Sequence, residues 1–318
     1  MRIILDTDPG IDDAVAVFYL AAQPGVEIAA VGTVHGNATA EIATRNALGL
    51  MEFVGRSEVP VAHGAALPLA QPLHVSDYVH GGNGMGDIEV PWALEPPVGA
   101  PVRGAVDVSA AEQMVRLARA EPGAYDLLAL GPLTNVALAL QLEPRLPALL
   151  RRVVVMGGAI SVPGNISPYG EANVWHDPEA ADLVLAAGFD LTLVPLDATL
   201  RAIAEHPWLQ ELAGLPGDRA RLTSRFLEYY VDFYTGLLGR RGCAMHDPLA
   251  AAVLLRPELA TTVETQVRVE LRGGYTRGMT VADLRSDPGT SITAPPVKVV
   301  THTDVPWFLD RLMTALRG

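Results

Sequence analysis

Short, uninterrupted apolar runs alternate along this chain with longer segments whose apolar residues recur every three or four positions. Ile3-Ile4-Leu5, Val26–Val34, Tyr125–Leu130, Arg152–Met156 and Leu191–Val194 read as strands. Asp13–Ala22, Thr39–Val54, Ala110–Ala120, Leu133–Leu142 and Pro178–Ala187 read as helices. Strands that are apolar throughout belong to a parallel sheet covered on both faces. The expectation is therefore an α/β fold, a mostly parallel, Rossmann-like open sheet flanked by helices. Beyond Leu200 the chain reads as helical through Gly239, and again after Met245-His-Asp-Pro248. Val263–Leu271 and Met279–Leu284 read as a hairpin turning at Gly273-Gly274, and Val297–Val300 as a further strand. Ala65–Asp107, rich in proline and poor in periodicity, reads as a functional lid. With no low-complexity linker and no repeat, one domain spanning 1–318 is favoured.

Each apolar run gives way to polar residues. The first leads into Asp6, Asp8, Asp12 and Asp13, the second into His35 and Asn37, and Tyr125–Leu130 into Gly131-Pro-Leu-Thr-Asn135. After Met156 come Gly157-Gly158 and a loop with Asn165, Glu171 and Asn173; after Val194 comes Pro195-Leu-Asp197. Open parallel sheets bind ligands beyond the carboxyl ends of their strands, so these groups should share one rim.

Composition excludes several functions. The 23 Lys and Arg against 36 Asp and Glu give a formal charge of −13, the wrong sign for gripping phosphates, so no nucleic-acid partner is expected. Hydrophobic residues at 49% argue against disorder. Lys298 is the only lysine, which removes the P-loop reading and disfavours lysine Schiff-base chemistry. Cys243 is the only cysteine, so there is neither an internal disulfide nor a cysteine-rich zinc site. The start does not read as a signal peptide, and no apolar run reaches the roughly 18 residues of a membrane span. A soluble, cytoplasmic protein without a membrane partner is expected.

Four carboxylates within eight residues repel one another unless a cation sits among them or some protonate. Three of the four also have an ordinary explanation. Asp12 or Asp13 could cap the following helix, and Asp6 could bond turn amides. Oxygen donors with few histidines suit a hard cation, Ca²⁺ or Mg²⁺. An EF-hand fails, because the twelfth position counted from Asp6 is Val17 instead of a bidentate Glu. A ligand must come from elsewhere, and Asp247 beside His246 is the best distant candidate, with a helix N-cap as its alternative.

Asp6-Thr-Asp-Pro-Gly-Ile-Asp-Asp13 resembles the N-terminal signature of the inosine–uridine-preferring nucleoside hydrolases. Val34-His-Gly-Asn37, Gly131-Pro-Leu-Thr-Asn135, Met156-Gly-Gly158, Gly164-Asn165, Glu171-Ala-Asn173, Asp177-Pro-Glu-Ala180, Pro195-Leu-Asp-Ala-Thr199 and His246-Asp-Pro248 match in family order. Thr276-Arg-Gly278 fits as well. The resemblance implies a Ca²⁺ ion held by Asp8, Asp13, Asp247 and the backbone carbonyl of Leu130, where family members often carry Thr. It implies ribose hydroxyls held by Asp12, Asn37, Asn165, Glu171 and Asn173, with Met156 against the sugar. Asp8 matches the general base, His246 the histidine linked to leaving-group protonation, and His80 a second pocket histidine near the base. It further implies ribonucleoside substrates (uridine, cytidine or inosine), a salvage role, and a dimer or tetramer.

Those roles are physically coherent. Hydrolysis of an N-ribosidic bond passes through an oxocarbenium-like sugar, which excess carboxylate charge favours. Calcium has room for six to eight oxygens, so it can chelate two sugar hydroxyls and still hold a water, which Asp8 would deprotonate. Histidine titrates in the range that suits protonation of the departing base. Two rivals stand: a Mg²⁺ phosphatase with Asp6 as nucleophile, and a nucleoside- or sugar-binding protein with a structural Ca²⁺. His35 reads as locally bonded near Asn37. His63, His74, His176, His206 and His302 read as structural, and the aromatic Tyr229–Tyr234 stretch as a core stripe in which Tyr229 or Tyr230 could reach a base.

Overall fold

The computed structural model describes residues 1–92, 104–285 and 292–317. Its strands in chain order are β1 (Arg2–Thr7), β2 (Glu27–Thr33), β3 (Val61–Ala62), β4 (Tyr125–Ala129), β5 (Arg152–Met156), β6 (Leu191–Val194), β7 (Ile203–Glu205), β8 (Gly242–Ala244), β9 (Ala260–Val269), β10 (Thr280–Ala282) and β11 (Pro296–Thr303). Nine form one sheet, ordered β10-β9-β11-β6-β5-β4-β1-β2-β3. Pairing is parallel from β3 across to β11, while β9 runs antiparallel to both β11 and β10. The expected mostly parallel sheet is therefore present, with the expected hairpin at its edge.

Alternate residues of the central strands enter two cores. Ile3, Leu5, Leu128 and Val154 face a cluster with Phe18 and Leu254, whereas Ile4, Leu127, Val153 and Val155 face one with Met114 and Val136. Burial on both faces is why these strands carry no polar alternation. Within β3-β2-β1-β4-β5-β6 the direction of winding reverses between β1 and β4. The crevice beyond the carboxyl ends of those two strands is where such sheets bind ligands.

Several local expectations differ. β1 extends through Asp6 and Thr7, because it pairs on both sides as far as Asp6. The first helix starts at Ile11 with Gly10 as its N-cap, so neither Asp12 nor Asp13 is the cap. Asp13 instead accepts the Gly10 N–H at 2.8 Å from the third helical position. The helix His246–Leu255 begins at His246, which places Asp247 inside its first turn and Pro248 where no N–H is needed. The continuous helical reading after Leu200 is replaced by β7 and two helices, His206–Ala213 and Asp218–Leu238. β7 pairs antiparallel with β8, a contact nearly forty residues away that no local pattern announces. β3, the short helices Asp77–His80, Leu146–Leu149, Ala172–His176 and Leu196–Thr199, and the final helix Val305–Leu316 are additions to the expected elements.

The expected lid lies partly outside the described residues, at 93–103. Its described part is packed around Met85 and largely exposed elsewhere, as at Leu67 and Tyr78. Met85 is fully buried, and the Asn83 side chain accepts from Met85 N and Asp87 N at 2.7 and 3.0 Å while donating to Ile88 O at 3.0 Å.

Candidate active site

The rim at β1 and β4 collects the carboxylates. Asp8 comes directly after β1 and is fully buried. Its Oδ2 accepts the Asn37 backbone N–H at 2.7 Å, while its Oδ1 has no hydrogen-bond partner. Backbone without side chains surrounds it: a Cβ at Gly131 would lie 2.6 Å from Asp8 Oδ1, and one at Gly36 would collide with Oδ2. Asp13, one helical turn on, accepts from Thr7 Oγ1, from Gly10 N and from Asn37 Nδ2 at 3.0 Å. Asp247 arrives from the far end of the sequence, and ligand oxygens of Asp12, Asp13 and Asp247 all lie within 4.8 Å of one another.

Burial raises the pKa of all four. Asp8 and Asp247 are held well above the carboxylate range by desolvation first and by neighbouring aspartates second, and Asp12 is pushed up to about 7 for the same reasons. Asp13 is raised by burial against four opposing hydrogen bonds. No Lys or Arg lowers any of these values. Buried, mutually repelling oxygen donors with an orphaned carboxylate oxygen fit a hard divalent cation. This trio includes Asp12, assigned from the resemblance to the sugar, and does not include Asp8, assigned to the ion.

A cavity of about 40 Å³ opens beside this cluster, well below the usual size of a small-molecule site. Asp12, Asn37, His246 and Asp247 line one side, with Leu130 at the end of β4. Met156, Asn165, Glu171 and Asn173 line the other. Glu171 caps the short helix Ala172–His176 and accepts three backbone N–H groups, from Gly158 (2.8 Å), Asn173 (2.9 Å) and Val174 (3.1 Å). Asn165 Oδ1 accepts Ala172 N–H at 2.9 Å, and Asn173 Nδ2 donates to Leu130 O at 2.6 Å and Met156 O at 3.2 Å. The Leu130 carbonyl, read as a metal ligand, thus already serves Asn173, with a second lone pair remaining.

His246 is buried and has both ring nitrogens engaged: Nε2 with Tyr234 OH at 2.5 Å and Nδ1 with Thr199 Oγ1 at 2.7 Å. Tyr234 stacks edge-on against Tyr230, whose hydroxyl bonds Asp12. Burial lowers the His246 pKa to about 4. His80 accepts the Ile11 N–H on Nδ1 at 3.1 Å, which fixes its ring proton on Nε2, and it packs 5.5 Å from Tyr230. Its pKa falls to about 3, through burial and then His246. Thr199 enters the sequence reading only as the last residue of the matching Pro195–Thr199 run, with no role of its own, and Tyr234 carries no functional signal. Tyr234 sits at helical spacing in an aromatic stripe that reads as core, the same stripe in which Tyr229 or Tyr230 reads as able to reach a base.

Other residues take structural places. Asp6 Oδ1 accepts from Asn135 Nδ2 at 2.8 Å, and Lys298 pairs at the surface with Asp190 at 2.7 Å, so the nucleophile and lysine of a phosphatase do not meet. The Cys243 thiol is buried with its pKa raised by desolvation, which disfavours thiolate chemistry. His35 reaches Thr134 Oγ1 at 3.2 Å, a partner distant in sequence instead of a local bond near Asn37.

Comparison with known proteins agrees along the whole length. A family model described as inosine-uridine preferring nucleoside hydrolase matches residues 3–310. A probable uridine nucleosidase 2 of Arabidopsis thaliana is 37% identical over 98% of this chain and 97% of its own. A pyrimidine-specific ribonucleoside hydrolase of Salmonella arizonae is 36% identical over 100% and 98%. Among solved structures, a plant nucleoside hydrolase superposes with TM-score 0.91 at 30% identity, covering 100% of this chain and 99% of that one. A purine-preferring ribonucleoside hydrolase from Gardnerella vaginalis gives 0.89 at 31%, covering 100% and 98%.

Proposed function

The chain belongs to the inosine-uridine preferring nucleoside hydrolase family, and on that premise we propose that it is a Ca²⁺-dependent hydrolase of ribonucleosides, uridine foremost. The observation that carries this reading is the convergence of Asp12, Asp13 and Asp247, from opposite ends of the sequence, beside a cavity walled by amides and Glu171. Uridine is placed first because curated relatives are named uridine nucleosidases and a pyrimidine-specific hydrolase.

Asp8, Asp13, Asp247 and the Leu130 carbonyl would hold the ion, with Asp12 close enough to join or to take a sugar hydroxyl. When bound, Ca²⁺ supplies charge neutralisation among the carboxylates and a chelating anchor for the sugar diol. Asp8 acts as base: Asn37 N–H fixes Oδ2, and the partnerless Oδ1 is free to take a proton from the attacking water. Glu171, oriented by three amides, accepts a ribose hydroxyl, while Asn165, Asn173 and Asn37 complete the sugar contacts and Met156 packs against it. The carboxylates exceed the charge of one divalent ion, which favours the cationic sugar of the transition state.

His246 acts on the leaving base through Tyr234. With Thr199 donating to Nδ1, neutral His246 keeps its ring proton on Nε2 and hydrogen-bonds the tyrosine oxygen with it. The Tyr234 hydroxyl is thereby left to donate a hydrogen bond to the departing base, which takes its proton from water as it leaves. His246→Ala is expected to slow uridine hydrolysis by about 100-fold, within the range for proton-transfer groups. A riboside whose leaving group needs no protonation, such as a nitrophenyl riboside, should lose less than about fivefold. Equal loss for both substrates would exclude leaving-group assistance.

The function is tested by incubating the protein with uridine and following uracil and free ribose. Both products should appear, and 2′-deoxyuridine should turn over about 1,000-fold more slowly, since removing one sugar hydroxyl leaves buried polar groups unpaired. Comparable rates for the two sugars would overturn the assigned ribose contacts.

A further inference from the structure

We propose that Arg277, at the turn of the C-terminal hairpin, is a positioning residue for sugar binding, acting through Gln71 on the short helix that carries Asn173. The inference rests on the reading of that helix as the ribose-facing wall and extends it to a residue absent from the cavity lining.

One guanidinium ties three segments together. Arg277 makes a forked pair with Glu179, Nη1 to Oε1 and Nη2 to Oε2 both at 2.8 Å. Nη1 also donates to Leu271 O at 2.8 Å, and Nη2 to Gln71 Oε1 at 2.9 Å. Gln71 passes the contact on, because its Nε2 donates to Trp175 O at 2.9 Å and His176 O at 3.0 Å. Those are terminal carbonyls of the helix Ala172–His176, which lack partners within a helix so short. Glu179 stands in the first turn of the next helix, Pro178–Leu185. Arg277 therefore braces the helix at its end and just beyond it.

The neighbouring glycines show how closely the hairpin turn is seated. A Cβ at Gly278 would lie 3.0 Å from Trp175 Cδ1, and one at Gly170 would lie 2.9 Å from the same atom. Gly170 and Met279 form an antiparallel bridge, and Ala159 N–H reaches Thr280 Oγ1 at 3.4 Å. Five residues do not form a stable helix alone. What fixes Asn173 Nδ2 on the Leu130 and Met156 carbonyls is consequently the Glu171 and Asn165 bonds at the start of the helix together with support from outside the cavity at its end. Lysine cannot replace this arrangement, since a single ammonium offers no planar fork for Glu179 together with two further acceptors.

The test compares Arg277→Met, Arg277→Lys and Gln71→Leu with the wild type in kcat, KM for uridine, inhibition by ribose and amide exchange across residues 171–176. Arg277→Met should raise KM and the ribose inhibition constant together by about tenfold, the upper part of the range for coupling through packed networks. Its kcat should stay within about threefold. Arg277→Lys should recover less than half of the loss. Gln71→Leu leaves the ion pair in place yet should raise KM several-fold, and combining it with Arg277→Met should add little further. Exchange at 171–176 should quicken in both single variants. Unchanged KM, ribose inhibition and exchange, with only a lower Tm, would make Arg277 a merely structural residue and overturn the proposal. Additive effects of the two substitutions would overturn the route through Gln71. If Arg277→Met does not fold, Gln71→Leu decides. Absence of ribose release by the wild type would sink the underlying reading instead, and exchange at 171–176 would then judge Arg277 by itself.

Discussion

Asp8→Asn is expected to leave the fold intact while cutting kcat for uridine by about 10,000-fold, the upper limit for loss of a positioned base. The substitution is isosteric, and its carbonyl can keep the bond that Asp8 Oδ2 accepts from Asn37 N–H. The new amide nitrogen then occupies the position of Oδ1, where no protein group is waiting. What disappears is the proton acceptor, together with one negative charge of the ion site. Because that charge is buried against Asp13, the variant freed of divalent ions should melt at a higher temperature than the wild type. A rise in Tm with a collapse in kcat separates a residue kept for chemistry from one kept for packing. Near-normal turnover would remove Asp8 from the mechanism.

The carboxylates are legible in the sequence because their setting is. Apolar runs such as Val153-Val154-Val155 carry both faces of a buried strand, so the residues after each run fall on one rim whatever the details of the loops. Asp8, Asn37, Leu130 and Met156 owe their common location to that geometry alone. Asp247 is harder to read, since a helix cap and a metal ligand look alike in sequence; only its approach to Asp12 and Asp13 separates them. The Tyr234–His246–Thr199 chain is not legible, because each link spans a different pair of elements and an aromatic stripe on a helix reads as core. β7 and β8 escape for a related reason: strands of three residues exist through their pairing, and local propensity carries almost no signal for them. Arg277 is visible as part of a matching tripeptide, yet its partners Gln71 and Glu179 lie 206 and 98 residues away.

Stripping the divalent ion should abolish detectable turnover and make stability depend on pH in a window that identifies the carboxylates. In the ion-free protein Asp6 and Asp12 are each pushed up to about 7, and burial holds Asp8 and Asp247 well above the usual carboxylate range. An acid whose folded pKa exceeds its unfolded value loses protons first in the unfolded chain, so stability is complete below the unfolded pKa and lost as pH rises through the folded one. The buried histidines work in the opposite direction. His35, His176 and His246 fall to about 4 and His80 to about 3, so their contribution is complete above an unfolded value near 6.5 and lost as pH drops. Below pH 6.5 the two sets offset each other; above it the raised carboxylates still titrate, joined toward pH 8.5 by the buried Cys243 thiol. Chelated protein should therefore lose Tm more steeply between pH 6.5 and 8.5 than protein in excess Ca²⁺, in which Asp6 still titrates but the ion binds the ionised ligand carboxylates and leaves the unfolded chain alone. The gap between the two curves should widen with pH, reaching roughly 4 °C for a site saturated about a hundredfold above its Kd. A gap that is constant across that range would mean that calcium sits away from Asp12, Asp13 and Asp247.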